Sequence, residues 1–287
     1  MSIADQMIAL PGADIFVRQS AGRGLPVLML HGSGASHLAF RRQFESPLAD
    51  KFRLIAMDLP GHGLSGDAGD PTSTYTAPGL ARLTAQLVEI LELDRLAVFG
   101  WSLGGHVAIE LLAHCPRVEG LMLCGTPPLG RGPLASLRGF HVRWDLLLAS
   151  KEQFSARDAD RFLHTCFRDG GDPAFLASIL RADGRLRTTF FRSLMRGEGI
   201  DQRRAVEEAQ IPIALVNGAE DPSVRLSYVA GIGGPALWEG RAHVIDGAGH
   251  APFWDQPAAF NRLFQSFFHM VAEQGPHRLP EPVARRA

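Results

Sequence analysis

One stretch of the sequence decides how the rest of the chain is interpreted, Val98-Phe99-Gly100-Trp101-Ser102-Leu103-Gly104-Gly105-His106. An apolar run precedes the serine and a helical pattern follows it, so a G-x-S-x-G motif joins a predicted strand to a predicted helix. Gly100 and Gly104 lack the side chains that would clash at so sharp a turn. The turn raises the Ser102 hydroxyl above the sheet and aims the backbone N–H of Leu103 at a developing oxyanion. The stretch therefore predicts a nucleophilic serine.

Outward from this stretch, short apolar strands alternate with longer helical patterns. That alternation is typical of an α/β protein with a mostly parallel, doubly wound sheet. Strands are predicted at Asp14–Gln19, Pro26–Leu30, Arg53–Met57, Leu96–Phe99, Val118–Cys124, Ile211–Val216 and Arg241–Ile245. Helices are predicted at Ala77–Leu93, Leu103–Ala113 and Ala258–Val271. The connection between the first two strands is short, which favours an antiparallel start to the sheet.

The alternation stops between Thr126 and Gln210, where phenylalanine and arginine recur without any strand pattern. We predict that residues 127–208 form a helical cap inserted into a catalytic core of residues 1–126 and 209–275. From Pro276 the chain is rich in proline and arginine, so residues 276–287 are predicted to be a flexible tail.

Composition excludes several classes of protein. The formal net charge of −1 gives no basic field that would attract nucleic acid or an anionic membrane. No apolar run approaches the roughly 18 residues of a membrane span, and Met1–Leu10 lacks the basic leader of a signal peptide. Three cysteines cannot all pair, which favours a reducing compartment. We expect a cytoplasmic protein, monomeric or homodimeric, acting on a small molecule.

A second loop follows the strand Pro26–Leu30, in the segment His31-Gly32-Ser33-Gly34. Such a loop can bring another backbone N–H, that of Ser33, to the same oxyanion. The alternative is a glycine-rich phosphate loop, but the spacing matches neither of the usual phosphate-binding patterns. His31 is expected to shape the loop by hydrogen bonding rather than to act as a base.

The chain order Ser…Asp/Glu…His, which accompanies this serine motif, locates the other two catalytic groups. Asp221 follows the strand Ile211–Val216, with neighbouring Glu220 as the alternative acid. His250 follows the strand Arg241–Ile245 and is the candidate base. Neither a metal-ligand spacing nor a cofactor motif is found, so neither a metal nor a cofactor is predicted.

These motifs together resemble the α/β-hydrolase superfamily, and the resemblance covers Ile15 to Phe268. The segments that carry it are His31–Gly34, Asp58-Leu59-Pro60-Gly61-His62-Gly63-Leu64-Ser65, Gly100–Gly105, Gly218–Asp221 and Gly249-His250. The insertion looks like the helical cap of that superfamily. A serine at the turn departs from the haloalkane dehalogenases and epoxide hydrolases, which have aspartate there.

A narrower resemblance is to the metal-independent N-acyl-homoserine lactonases of this fold. It rests on Phe99–His106, Gly125-Thr126-Pro127-Pro128, Asp183-Gly184-Arg185, Ala209–Ala214, Leu237–Gly240, His243–Asp246 and Ala248–Phe253. The resemblance implies Ser102 as nucleophile, His250 as base and Asp221 at the acid position, acting on quorum-sensing lactones. The family's pattern has glutamate at the acid position, asparagine where this chain has Ser33, and tyrosine where it has Phe162.

The predicted function is thus a serine hydrolase of esters or lactones, most similar to acyl-homoserine lactonases. A generic carboxylesterase, a C–C bond hydrolase and a perhydrolase of the same fold are the alternatives, and a catalytically inactive receptor is a third class. The candidates for substrate contacts are Gly32, Trp101, Phe140, Trp144 and Phe162.

Overall fold

A computed structural model describes residues 2–141, 148 and 150–275 of the 287-residue chain. Its strands are β1 (Ile3–Leu10), β2 (Ala13–Ser20), β3 (Pro26–Leu30), β4 (Arg53–Met57), β5 (Leu96–Trp101), β6 (Val118–Cys124), β7 (Ile213–Gly218) and β8 (His243–Ile245). They form one sheet in the order β1-β2-β4-β3-β5-β6-β7-β8. The prediction of a mostly parallel α/β sheet is confirmed.

The antiparallel start is also confirmed, although its partners differ from the sequence pattern. β2 runs antiparallel to both β1 and β4, while β3 pairs in parallel with β4 and β5. β4 therefore separates the first two predicted strands. No strand was predicted at Ile3–Leu10, where most residues are exposed and only Ile8 and Leu10 pack against the core. Pairing with β2, from Ile3 opposite Ser20 to Leu10 opposite Ala13, holds it in place.

The helices carry the remaining regular structure. They are α1 (Arg41–Phe44), α2 (Leu48–Lys51), α3 (Pro71–Thr74), α4 (Ala77–Ile90), α5 (Leu103–Leu111), α6 (Pro133–Arg138), α7 (Ala156–Cys166), α8 (Pro173–Arg181), α9 (Gly184–Arg196), α10 (Gln202–Glu207), α11 (Leu226–Ala230), α12 (Pro252–Asp255) and α13 (Pro257–Glu273). Short 3₁₀ turns occupy His37–Phe40 and Trp238–Gly240. Of the described helices, none is both long and apolar enough to cross a membrane.

Apolar side chains cover both faces of the sheet. In β3, Leu28 and Leu30 face the apolar layer that includes helices α4 and α5, while Val27 and Met29 face the layer that includes α13. Because β3, β5, β7 and β8 are parallel, the loops that follow them leave the same edge of the sheet. This edge is where the sequence placed the candidate catalytic groups.

Between β6 and β7, the described part of the chain forms the helices α6 to α10. Well-placed side chains begin several of them: Ser155 and Asp158 form a capping box at α7, and Asp172 and Asp183 cap α8 and α9. We propose that residues 127–208, called here the insertion, are a cap over the core. Trp144 and residues 276–287, the predicted tail, lie outside the described residues.

Candidate active site

The turn after β5 holds Ser102 in a strained conformation. Its φ of 54° and ψ of −119° lie where a residue with a side chain is rarely found. The turn is fixed on both sides: the Ser102 N–H donates to the Cys124 carbonyl at 2.9 Å, and Thr126 Oγ1 donates to the Ser102 carbonyl at 3.0 Å. Strain so firmly held at one serine is typical of a functional residue.

Two glycines allow the backbone to pack this closely. A Cβ at Gly100 would lie 2.6 Å from the Cα of Gly105, and one at Gly104 would lie 2.2 Å from the Leu30 carbonyl oxygen. The first contact is the clash across the turn that the sequence predicts. The second is different, because Gly104 lets α5 approach the end of β3. The start of α5 is thereby brought against the loop that contains Ser33.

His250 and Asp221 are hydrogen bonded, with 2.9 Å between His250 Nδ1 and Asp221 Oδ2. Burial raises the pKa of Asp221, but the charge of His250, its hydrogen bond and the backbone N–H groups of Val224 and Ser223 outweigh burial and lower it overall. An ionised carboxylate only accepts hydrogen bonds, so the proton of a neutral His250 ring lies on Nδ1. Nε2 is then free to accept a proton from a nucleophile.

Glu220, the alternative acid, points elsewhere. Its side chain is half exposed and pairs with Arg168 at 3.0 Å, whereas the Asp221 side chain is fully buried against His250. The geometry therefore favours Asp221 as the partner of the histidine.

Trp101 holds the loop that contains His250 to the turn that contains Ser102. The indole N–H of Trp101 donates to the His250 carbonyl at 2.9 Å, and the Gly249 N–H donates to Asp255 at 2.8 Å. Ser102 and His250 line the same cavity. Within the described chain no hydrogen bond joins the Ser102 hydroxyl to the His250 ring. Such contacts are often long in unliganded enzymes and tighten when substrate binds.

Two backbone N–H groups are available for an oxyanion at this cavity. Among the described residues, neither the Ser33 nor the Leu103 N–H has an acceptor, and both residues line the cavity with Ser102. Two hydrogen bonds hold the Ser33 loop: His31 Nε2 accepts from the Leu59 N–H at 3.0 Å, and His62 Nε2 accepts from the Gly34 N–H at 3.0 Å. His31 therefore has the shaping role expected from the sequence.

The cavity walls are largely apolar and come from both the core and the insertion. Of the residues predicted to contact substrate, four line it: Gly32, Trp101, Phe140 and Phe162. Trp144 lies outside the described residues. Helix α9 contributes a row of side chains, Phe190, Phe191, Leu194 and Met195.

Four polar residues that were not predicted from the sequence also line the cavity, His106, Thr165, Arg187 and Ser223. His106 Nδ1 lies 2.7 Å from Gln202 Oε1, and burial lowers its pKa to about 4, so the ring is neutral near pH 7. Sequence spacing offered a signal for His106 and Arg187. His106 lies one turn into the helix that follows Ser102, and Arg187 lies three residues before Phe190, on the same face of α9.

Comparison with known proteins places this arrangement in a family. Residues 27–263 match the alpha/beta hydrolase family. The chain belongs to that family. Its serine turn and the loops after β3, β7 and β8 are the parts of the fold that carry catalysis in α/β hydrolases.

Among solved structures of this family, the N-acyl homoserine lactonase AidH complexed with N-butanoyl homoserine has a TM-score of 0.92 and 39% identity over 96% of this chain and 100% of that chain. A mutant of AidH complexed with N-hexanoyl homoserine has a TM-score of 0.91 and is 40% identical, and the match covers 97% of this chain and 100% of that chain. The pimeloyl-[acyl-carrier protein] methyl ester esterase of Xanthomonas axonopodis pv. citri is 30% identical over 87% of this chain and 97% of its own. The activities of these proteins break ester bonds, and this chain is a hydrolase of that class.

Proposed function

We propose that this enzyme opens the lactone ring of N-acyl homoserine lactones, with Ser102 as nucleophile, His250 as base and Asp221 as the acid that orients the histidine. The observation that carries the proposal is the similarity to AidH, which extends over nearly the whole of both chains. The apolar cavity at Ser102 supports it, since an acyl chain gains about 0.8 kcal/mol for each buried CH₂.

In the first step, Ser102 Oγ bonds to the lactone carbonyl carbon while its proton passes to His250 Nε2. The N–H groups of Ser33 and Leu103 stabilise the negative charge that develops on the carbonyl oxygen. As the C–O bond of the ring breaks, His250 returns the proton to the ring oxygen. The alcohol so formed stays attached to the acyl group, which is now an ester of Ser102.

In the second step, water gives a proton to His250 and bonds to the same carbonyl carbon. The bond to Ser102 Oγ then breaks, and the serine recovers its proton from His250. The product is N-acyl homoserine, which carries a carboxylate at neutral pH and therefore releases one proton for each ring opened. Asp221 keeps the imidazole oriented throughout and stabilises its charged form.

A second candidate is an esterase of open-chain carboxylic esters, which the 30% identity to the Xanthomonas methyl ester esterase favours. The same serine turn also serves C–C bond hydrolases and perhydrolases, so the nucleophile alone does not select the reaction.

Proton release at constant pH tests the choice. We expect the wild-type enzyme to open N-acyl homoserine lactones carrying butanoyl to decanoyl chains, and the Ser102→Ala variant to open none. A wild-type enzyme that hydrolyses methyl or aryl esters but none of the lactones would overturn the lactonase proposal and leave the esterase.

We also propose that the enzyme works in the cytoplasm, because Cys115, Cys124 and Cys166 are all free and buried. Fractionation of cells expressing the untagged chain tests this, and recovery of the enzyme outside the cytoplasm would contradict it.

A further inference from the structure

Arg187 is a buried cation that has no carboxylate partner within residues 2–141, 148 and 150–275. It lies on α9 in the insertion, is only 3% exposed and lines the cavity that contains Ser102. No ion pair joins it to an acidic side chain anywhere in the described chain. The nearby carboxylate of Asp183 is already bound by Arg185 at 2.7 Å and by the Tyr75 hydroxyl at 2.7 Å.

The guanidinium of Arg187 is held in place, but only in part. Nε donates to the Lys151 carbonyl and Nη2 to the Glu152 carbonyl, both at 2.8 Å, and the group stacks over Phe154 at 4.0 Å. Nη1 is buried and has no hydrogen-bond partner among the residues that the structure describes. An unsatisfied donor on a buried cation costs more than an ordinary missing hydrogen bond. In the described part of the chain, the fixed fork thus leaves one nitrogen without an acceptor.

Neighbouring side chains connect Arg187, at the wall of the cavity, to the loop that contains Ser33. Phe154, on which Arg187 stacks, contacts Phe162 at 5.4 Å between ring centres. Phe162 in turn packs against Gly34, where an added Cβ would lie 3.2 Å from its ring. Burial lowers the pKa of Arg187 to about 10, so the group is still charged at neutral pH.

We propose that Arg187 Nη1 binds a hydrogen-bond-accepting oxygen on the acyl chain of the substrate, so that the enzyme selects acyl chains that carry a keto or carboxylate oxygen over plain ones. This inference rests on the proposed ester hydrolysis at Ser102 and adds a substrate class to it. Arg187 would act in specificity and not in the chemical step, since nothing places it at the reacting carbonyl.

Paired substrates that differ by one keto or carboxylate group on the acyl chain test the proposal on the wild-type enzyme. The pairs are 4-nitrophenyl pentanoate with the 4-oxopentanoate, the hexanoate with the 5-oxohexanoate, and the hexanoate with the mono-4-nitrophenyl ester of adipic acid. We expect a higher kcat/KM for the oxygen-bearing member of at least one pair. Without a donor, an oxygen in an apolar cavity would lower kcat/KM, so a preference for the plain member in every pair would overturn the proposal.

The Arg187→Met variant then assigns the preference to this side chain. It keeps a long apolar chain and removes the donors, so the preference should fall about ten- to hundredfold, as expected for a hydrogen bond to a charged group, mainly through KM. Arg192→Met, on the exposed side of the same helix, should leave it unchanged. A purely structural role would lower both members of each pair equally and would overturn the proposal.

The aryl esters keep the two proposals separable. If the enzyme turns over aryl esters but no lactone, the lactonase proposal fails and the Arg187 test still stands. If folded wild-type enzyme turns over neither, ester hydrolysis at Ser102 itself is wrong. If Arg187→Met does not fold, the Arg187→Lys variant is compared with the wild type instead, since lysine keeps the charge but not the planar fork. Lysine should reduce the preference for the oxygen-bearing substrates. An unreduced preference would contradict the role of Nη1.

Discussion

The core and the insertion build the same cavity in different ways. In the core, each proposed catalytic group follows a strand directly or lies in a short loop, and hydrogen bonds fix it. The Ser102 N–H donates to the Cys124 carbonyl, the Val224 N–H to the Asp221 carboxylate and the Trp101 indole to the His250 carbonyl. In the insertion, helices present side chains that contact one another mostly through apolar rings. We therefore propose that the core determines the reaction and that the insertion determines which acyl group fits.

The largest expected effect tests the core. Ser102→Ala removes the proposed nucleophile, so kcat should fall by about 10⁶, the size of loss seen when a serine nucleophile is removed elsewhere. The melting temperature should not fall, because the hydroxyl makes no hydrogen bond in the described chain and active-site strain opposes stability. Initial rates with a lactone and an aryl ester, with a thermal melt, measure both. A variant that fails to fold would show that the serine turn has been misinterpreted.

The next effect distinguishes the two acids of the core. Asp221→Asn keeps the shape but removes the charge that orients His250, and kcat should fall by about 10⁴. Glu220→Gln is the matched control, since its side chain lies half exposed against Arg168, and it should change kcat less than about twofold. Steady-state rates of both variants decide between them. A greater loss in Glu220→Gln would reverse the assignment.

A smaller effect concerns the pH dependence of core stability. Burial lowers the pKa of His62 to about 3 and that of His106 to about 4, while an unfolded chain titrates near its ordinary value of about 6.5. Between these values the unfolded chain binds protons that the folded chain does not, so the free energy of unfolding should decrease as pH falls from about 6.5 to about 4. Urea unfolding at several pH values measures the slope.

The variant His106→Gln should flatten that slope, because it removes one of the histidines whose pKa is lowered by burial. His269→Gln, which changes an exposed histidine on α13, is the control and should leave the slope unaltered. An unchanged slope in His106→Gln would mean that His106 is protonated in the folded enzyme.

The smallest effect belongs to the insertion. Phe140 lines the cavity, and its segment is tied to the loop of the catalytic acid, since the His141 N–H donates to the Ser223 carbonyl at 2.8 Å. For each acyl CH₂ that the Phe140 ring covers, Phe140→Ala should lower kcat/KM by about fourfold. A series of acyl-chain lengths measures this. Leu134→Ala, exposed on α6, should leave chain-length preference intact.

Features of both the core and the insertion could be predicted from the sequence where residues close together in the chain fix them. The turn at Ser102 and the loops with Asp221 and His250 follow from local patterns, because a strand end and a few neighbouring residues fix each one. The helical character of the insertion is equally visible from its repeating phenylalanines. These features depend on residues close together in the chain, so one sequence suffices to predict them.

The strand β1 and the position of Arg187 could not be predicted from the sequence, because both depend on contacts between residues far apart in the chain. β1 contacts the core only through Ile8 and Leu10, and its pairing with β2 makes it a strand. Arg187 looks like an ordinary surface arginine until the path of α9 brings it to the cavity wall. Its place beside Phe190 and Phe191 on one helix face was a usable signal, since a single charge within an apolar stripe needs a reason. The choice between Asp221 and Glu220 likewise needed the position of His250.

Labelling with a fluorophosphonate tests the central claim most directly, because it reports on the nucleophile and on the lactone in one experiment. We expect folded wild-type enzyme to be modified at Ser102, as peptide mass spectrometry would locate it, and N-hexanoyl homoserine lactone to slow the modification while it is being consumed. Modification that a saturating concentration of lactone does not slow would contradict the lactonase proposal, and a folded protein that is not modified at Ser102 would contradict the whole account.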